Sequence, residues 1–356
     1  MRNHEVITKQ PLLNEFGEIN EPGWARKQIW NYKKDQIKAP KFRLKEWDYY
    51  MVIHDGKGVE DSFAVAFTIS DDGYVGLQSV SFLLLNDDEP WEHTETVLNL
   101  FPMGKLELPE SSNSGNTKYD DNRLKMVFYK DDHSREIKCL FKNFYKDMDL
   151  IASIYLEQPP MDTMVIATPW DKKHAFYYNQ KINTMTAKGR VLFDGKTYKF
   201  DGVNDYGTLD WGRGVWTYDN TWYWGSGNGK IDGHDFGFNI GYGFGNTKAA
   251  TENIIFYDGV AHKLDDVKIE IPNDVDLYDM KSPHYMEPWN ISESGGRFEM
   301  KFRPLLDRAA NMNFKVIVSD QHQVFGRMSG VAILDDKTKI EIKDMLCFIE
   351  KVHNKY

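Results

Sequence analysis

The sequence predicts an all-β protein of antiparallel strands, arranged as barrels or sandwiches. Three observations carry that expectation. Helical periodicity is scarce along the 356 residues, whereas short apolar alternations broken by turn residues recur. Aromatic residues make up 14% of the chain, which favours strands and aromatic-lined cavities. Asp-Gly pairs sit between strand-like runs, the sequence mark of two-residue hairpins.

The elements follow in order. Residues 1–45 read as an irregular arm, with turn chemistry at Glu21-Pro22-Gly23. Asp61 to Ser70 alternates as a strand, ends at Asp71-Asp72-Gly73, and returns as Tyr74 to Leu85. Leu124 to Tyr129 and Ile137 to Phe144 form a second pair around Asp131-Asp132. Arg190 to Phe193 and Lys196 to Phe200 flank Asp194-Gly195; Ile254 to Tyr257 and Val260 to Leu264 flank Asp258-Gly259. Phe314 to Val318, Val324 to Gly326, Gly330 to Leu334 and Lys339 to Ile342 continue the pattern. The length fits two domains. Hairpin patterning restarts near 180–190, so the expected division is 1–185, an arm plus a β-barrel, and 186–356, a second barrel.

Composition excludes several classes. A formal net charge of −10 argues against a nucleic-acid partner, which asks for a basic surface. The N-terminus lacks the apolar core of a signal peptide, and apolar runs such as Phe82 to Leu85 are too short to cross a membrane. The expectation is a cytoplasmic protein with no transmembrane segment. Two cysteines, Cys139 and Cys347, do not make a disulfide framework and read as reduced core thiols. The dinucleotide fingerprint fails after Gly225-x-Gly227 and after Gly241-x-Gly243, and Gly195-Lys196-Thr197 lacks the earlier glycine of a phosphate loop. No histidine pair has metal-ligand spacing, and no nucleophile elbow occurs. No cofactor and no metal are expected.

Chemistry concentrates between Gly207 and Asn253. That stretch holds four of the ten tryptophans (Trp211, Trp216, Trp222, Trp224) and eleven of the 27 glycines. Aromatic faces supply area, glycines allow close approach, and scattered polar groups orient a ligand, so the stretch reads as a pocket wall. Asp210 and Glu252 are the candidate catalytic acids. Arg213, Trp216, Trp222, Trp224, Asn239, Asn253 and the distant Gln323 are the candidate ligand contacts. Asn239 lies between Phe238 and Ile240, so on a strand it faces away from them, toward solvent or a pocket. Arg213 stands near Asp210 in sequence and keeps it ionised, although i and i+3 on a strand point to opposite faces. Glu252 then remains as the acid that burial would hold protonated.

Asp210-Trp211-x-Arg213-Gly214-Val215-Trp216 followed by Trp222-x-Trp224-Gly225-Ser226-Gly227 resembles the signature of the domain of unknown function 2804 family. Pro22-Gly23-Trp24-Ala25-Arg26, Thr251-Glu252-Asn253, Phe302-Arg303-Pro304 and Gln323-Val324-Phe325-Gly326 extend the resemblance over nearly the whole chain. The family looks distantly similar to two-barrel, lipocalin-like (calycin) proteins, including carotenoid hydratases. The resemblance therefore implies two lipocalin-like barrels and a small-molecule ligand.

Three functions stay open on the sequence. The first is lipid-like or amphipathic small-molecule binding in a barrel cavity, with acid-assisted hydration, isomerisation or cyclisation. The second is a carbohydrate-active enzyme using Asp210 and Glu252 as paired carboxylates. The third is a non-catalytic structural or stress-related binding module.

Overall fold

Alternating apolar residues and hairpin turns give the chain two large antiparallel sheets, each curled around its own core. The computed structural model describes residues 2–313 and 318–355. Residues 314–317, most of the strand expected from Phe314 to Val318, lie outside the described residues. Helix among the described residues is limited to two 3-10 turns, Lys34–Gln36 and Lys41–Arg43. None of it is long and apolar enough to cross a membrane.

The first sheet runs from Trp91–Leu100 through Val75–Leu84, Phe63–Asp71, Leu44–His54, Lys196–Val215, Phe176–Phe193, Met148–Glu157, Ser134–Tyr145 and Leu124–Lys130 to Thr117–Asp120. Met164–Pro169 pairs with the first part of Phe176–Phe193 and with Gly23–Ala25. Side chains draw the sheet's two ends together. Asn99 donates to the Tyr119 hydroxyl at 3.1 Å, His93 meets the Phe144 carbonyl at 2.8 Å, and Arg123 pairs with Glu95 at 2.9 Å. Alternation along Lys196–Val215 sends Leu209, Trp211 and Val215 inward to a core that includes Phe67, Phe128 and Phe141. Asp210 and Gly212 therefore face outward.

The second sheet runs from Val260–Lys263 through Ile254–Tyr257, His234–Tyr242, Asp219–Ile231, Lys339–Lys355, Val318–Ile333, Phe298–Asn313 and Trp289–Glu293 to Val267–Glu270. Its closure follows from arithmetic. The two end strands are joined by only Leu264-Asp265-Asp266. Such a link reaches about 14 Å at full extension. A flat sheet of this size would hold its ends roughly 38 Å apart. The sheet must curl until its ends meet, and Arg297 bridges the seam to the Lys263 carbonyl at 2.8 Å.

The Asp-Gly hairpins form as the sequence predicts. Asp194 and Gly195 have φ of 51° and 68°, and Asp258 and Gly259 have 46° and 76°, the left-handed pair that a two-residue turn requires. The expected division near 185 falls within the strand Phe176–Phe193. Phe176–Phe193 and Lys196–Val215 pair along nearly their full length in the first sheet, so the chain changes sheet between Val215 and Asp219. The separate short strands expected at Val324 and Gly330 are one strand, Val318–Ile333, whose glycines are absorbed within it.

The outer faces of the two barrels pack on each other. Tyr49, Met51, Ile166 and Tyr177 from the first meet Trp224, Phe325, Leu346 and Phe348 from the second. Gly212 lies on this outer face beneath Trp47: a Cβ there would come within 2.0 Å of the Trp47 ring. Gly212→Ala is expected to cost about 1–3 kcal/mol, the range of an overpacked core. Urea denaturation measures it, and an unchanged midpoint would show that Trp47 moves aside freely.

Candidate functional site between the barrels

Directly opposed residues in an antiparallel pair share a face, so register alone builds this site. On the second barrel, Arg308 opposes Gln323, Gln323 opposes Glu350, Glu350 opposes Trp224, and Trp224 opposes Gly241. On the first barrel, Thr68 opposes Tyr49, Tyr49 opposes Asp210, Asp210 opposes Lys181, and Lys181 opposes Met164. The two rows meet across the barrel interface. Lys181 Nζ lies 4.0 Å from the Trp224 ring centre, and Gln323 Nε2 is 3.4 Å from the Tyr49 hydroxyl. Arg308 donates to Ser81 of the first barrel.

Asp210 is fully engaged within this arrangement. Its carboxylate accepts from Lys181 at 2.7 Å and from Asn179 at 2.7 Å. Glu252 is the opposite case. It is 1% exposed, and neither carboxyl oxygen has a hydrogen-bond partner of normal geometry. Burial pushes its pKa up; Lys181, the adjacent Tyr177 hydroxyl and Lys263 oppose that, and Asp210 adds to it. Burial and then the Glu252 charge hold the Tyr177 phenol well above its usual range. Burial brings Lys263 down to about 7, against the pull of Glu252 and Asp265. Glu350 is a second buried acid. Burial raises its pKa, while donation from Trp222 Nε1 at 3.0 Å and Gln323 Nε2 at 2.9 Å works the other way.

Aromatic rings pack beside these groups. Trp216 sits at the centre of a group formed by Trp47, Trp170, Tyr177, Trp222 and Phe244, with ring centres 5.4 to 6.3 Å from its own. Tyr177 Oη, Asn179 Oδ1, Trp216 Nε1, Gln323 Oε1 and both Glu252 oxygens are buried without hydrogen-bond partners. Buried polar atoms are nearly always satisfied, and a group of exceptions in one place marks where a ligand or solvent completes the structure.

The sequence-predicted residues divide. Asp210, Trp216, Trp222, Trp224, Asn239, Glu252 and Gln323 come together between the barrels. Asn239 positions two of the others: its Oδ1 accepts from Trp224 Nε1 at 2.7 Å, and its Nδ2 donates to the Glu252 carbonyl at 3.0 Å. Asn253 serves the backbone instead, accepting from Gly241 N and donating to the Asp265 carbonyl. Arg213 is elsewhere. Strand alternation turns it into the first barrel, where it pairs with Asp48 at 2.9 Å, so the cation beside Asp210 is Lys181. Packed side chains form the core of each barrel, and the candidate residues that come together lie between the two.

Tyr177, Lys181 and Glu350 escaped the sequence reading, yet each left a signal. Tyr177, Asn179 and Lys181 alternate with the core residues Tyr178 and Ile182. Glu350 directly ends the apolar run from Met345 to Ile349. No cluster of three or more His, Cys, Asp or Glu able to hold a metal occurs among the described residues.

A family model described as Domain of unknown function (DUF2804) matches residues 3–356. The chain belongs to this family. Among solved structures, kievitone hydratase from Nectria haematococca is similar over 98% of each chain, at 11% identity and a TM-score of 0.50. An AttH-type protein from Nitrosomonas europaea is similar over 91% of this chain and 96% of its own, at 10% identity and 0.48. CghA with Sch210972 is similar over 97% of each chain, at 9% identity and 0.38. The first likeness extends across both barrels and shows a shared lipocalin-like fold. No curated protein matches the chain.

Proposed function

We propose that the protein binds a small hydrophobic or amphipathic molecule between its barrels, with Glu252 as the acid in a hydration, isomerisation or cyclisation of a carbon–carbon double bond. The observation that carries this reading is Glu252 itself: a buried carboxyl without a hydrogen-bond partner of normal geometry, beside Tyr177 and a wall of indole rings. In a hydration, the carboxyl gives its proton to one alkene carbon, water bonds to the other, and the proton that water sheds returns to the carboxylate. Ring faces favour the positive charge that builds between those steps. Hydratase chemistry in the fold relative from Nectria haematococca is consistent with this reading. The paired-carboxylate reading asks Asp210 for a free oxygen, but Lys181 and Asn179 hold both.

The reading keeps the protein in the cytoplasm, with Cys139 and Cys347 as buried free thiols. It also gives it a lipid-like small molecule, and no nucleic acid, as partner. The test is native mass spectrometry of the purified protein followed by chemical identification of any released molecule. Trp224→Ala is expected to weaken retention at least ~10-fold, since aromatic contacts contribute about 0.5–1.5 kcal/mol beyond their area. Glu252→Gln is expected to retain the molecule. Retention unchanged by Trp224→Ala would remove the inter-barrel site from the reading.

A further inference from the structure

A second unusual group of side chains lies inside the first barrel, beneath the segment carrying Pro109 and Ser112. Arg135 and Arg213 are 1% and 0% exposed, and the Lys130 side chain is fully buried with them. Two buried carboxylates accompany these three cations. Asp48 takes Arg213 at 2.9 Å, Lys130 at 2.6 Å and Thr117 at 2.6 Å. Glu46 takes Lys34 at 2.8 Å and faces Arg213 at 3.5 Å. Arg135 has only neutral acceptors: Gln158 Oε1 at 3.0 Å, Asn113 Oδ1 at 3.2 Å and the Ser112 carbonyl. A buried guanidinium without a counter-charge is costly, and proteins rarely keep one.

Two further donors share this space. The Tyr50 hydroxyl and the Trp211 indole N–H are buried, and neither has a hydrogen-bond partner of normal geometry. Tyr50 is close enough to Arg135 to feel its charge. The Trp211 ring lies 4.3 Å from the Arg213 guanidinium carbon. Burial brings Lys130 down to about 8 against the pull of Asp48, and Arg213 and Arg135 push it the same way as burial. Surplus positive charge and unused donors thus coincide. Trp211 and Asp210 are neighbours on one strand but point to opposite faces, so this group is separate from the inter-barrel site.

We propose that this group is a binding site for one small monovalent anion of halide size, held by Arg135 with the Tyr50 hydroxyl and the Trp211 indole. Arg135 is the member of this group without a carboxylate partner, its one charge calls for a single negative charge, and full burial calls for a small ion. The full chain, dialysed into gluconate at constant ionic strength, is titrated with chloride or bromide while Tm is recorded. The expected result is a saturable rise of about 2–4 °C, with an anomalous bromide peak at this group in crystals. Trp211→Phe, which deletes one donor and little volume, should raise the midpoint ~10-fold. Arg135→Met should abolish the response. A wild-type Tm no different from gluconate, bromide bound only elsewhere, or a Trp211→Phe response equal to wild type would each overturn the proposal. The last two readouts stand even where Arg135→Met fails to fold.

Discussion

Arg213→Met is expected to destabilise the protein by about 3–5 kcal/mol, the usual cost of removing one partner from a buried ion pair. The guanidinium is 0% exposed and donates to Asp48, to the Trp47 and Gly212 carbonyls, and twice to the Pro109 carbonyl. Methionine fills similar volume and offers none of these donors. Asp48 keeps Lys130 and Thr117, but its carboxylate, held well below the usual range mainly by Lys130 and Arg213 against burial, loses one of two cations. Glu46 loses a facing charge as well. The segment around Pro109 should also become more open to proteolysis, because Arg213 is one of the groups that fasten it to the barrel, together with Arg135 on the Ser112 carbonyl. Urea denaturation and limited proteolysis report both effects. A loss below 1 kcal/mol would equate Arg213 with an exposed pair such as Lys138–Glu136 and would contradict its role.

Glu252→Gln is expected to reduce turnover by roughly 10²–10⁴-fold once a substrate is in hand, the usual contribution of a general acid. The same change has an effect that needs no substrate. An unfolded glutamate titrates near about 4.3. Burial raises the folded value, so across the window between the two the folded chain keeps a proton that the unfolded chain has lost. Stability therefore falls as pH rises through that window, by about 1.4 kcal/mol for each unit of difference. Glutamine has no proton to lose, so the variant should be the more stable protein at neutral pH. Glu350 is raised in the same direction and remains, so some slope should persist. Lys263, depressed to about 7, works the opposite way above that pH, and denaturation series below pH 7 isolate the carboxyls. Identical slopes in wild type and variant would mean that Glu252 ionises freely in the folded protein.

Legibility in the sequence differed between fold and site for physical reasons. Turns are local, so Asp194-Gly195 and Asp258-Gly259 announced their hairpins directly. The density of glycine and tryptophan from Gly207 to Asn253, read as a pocket wall, has part of its length at the barrel interface, where Gly212 clears space for the Trp47 ring. Partners are not local. Asp210 and Arg213 are close in sequence, yet alternation sends one outward to Lys181 and the other inward to Asp48. Lys181 and Glu350 meet Asp210 and Trp224 only through cross-strand register. The extent of Val318–Ile333 was hidden because Gly326 and Gly330 resemble strand breaks, whereas in the sheet they make room for Phe302 and the Glu299 carbonyl.

The place of Lys339–Lys355 at the centre of the second sheet has a consequence for biosynthesis. This strand pairs with Asp219–Ile231 on one side and Val318–Ile333 on the other. Among the strands of its barrel it is also the last to leave the ribosome. Until it emerges, the nascent chain holds two half-sheets with long open edges, a state that invites pairing with other chains. Glu350 rides on this same strand, opposite Trp224. The group of side chains between the barrels therefore cannot assemble on a partly made chain, and the step that closes the barrel is also the step that brings Glu350 opposite Trp224.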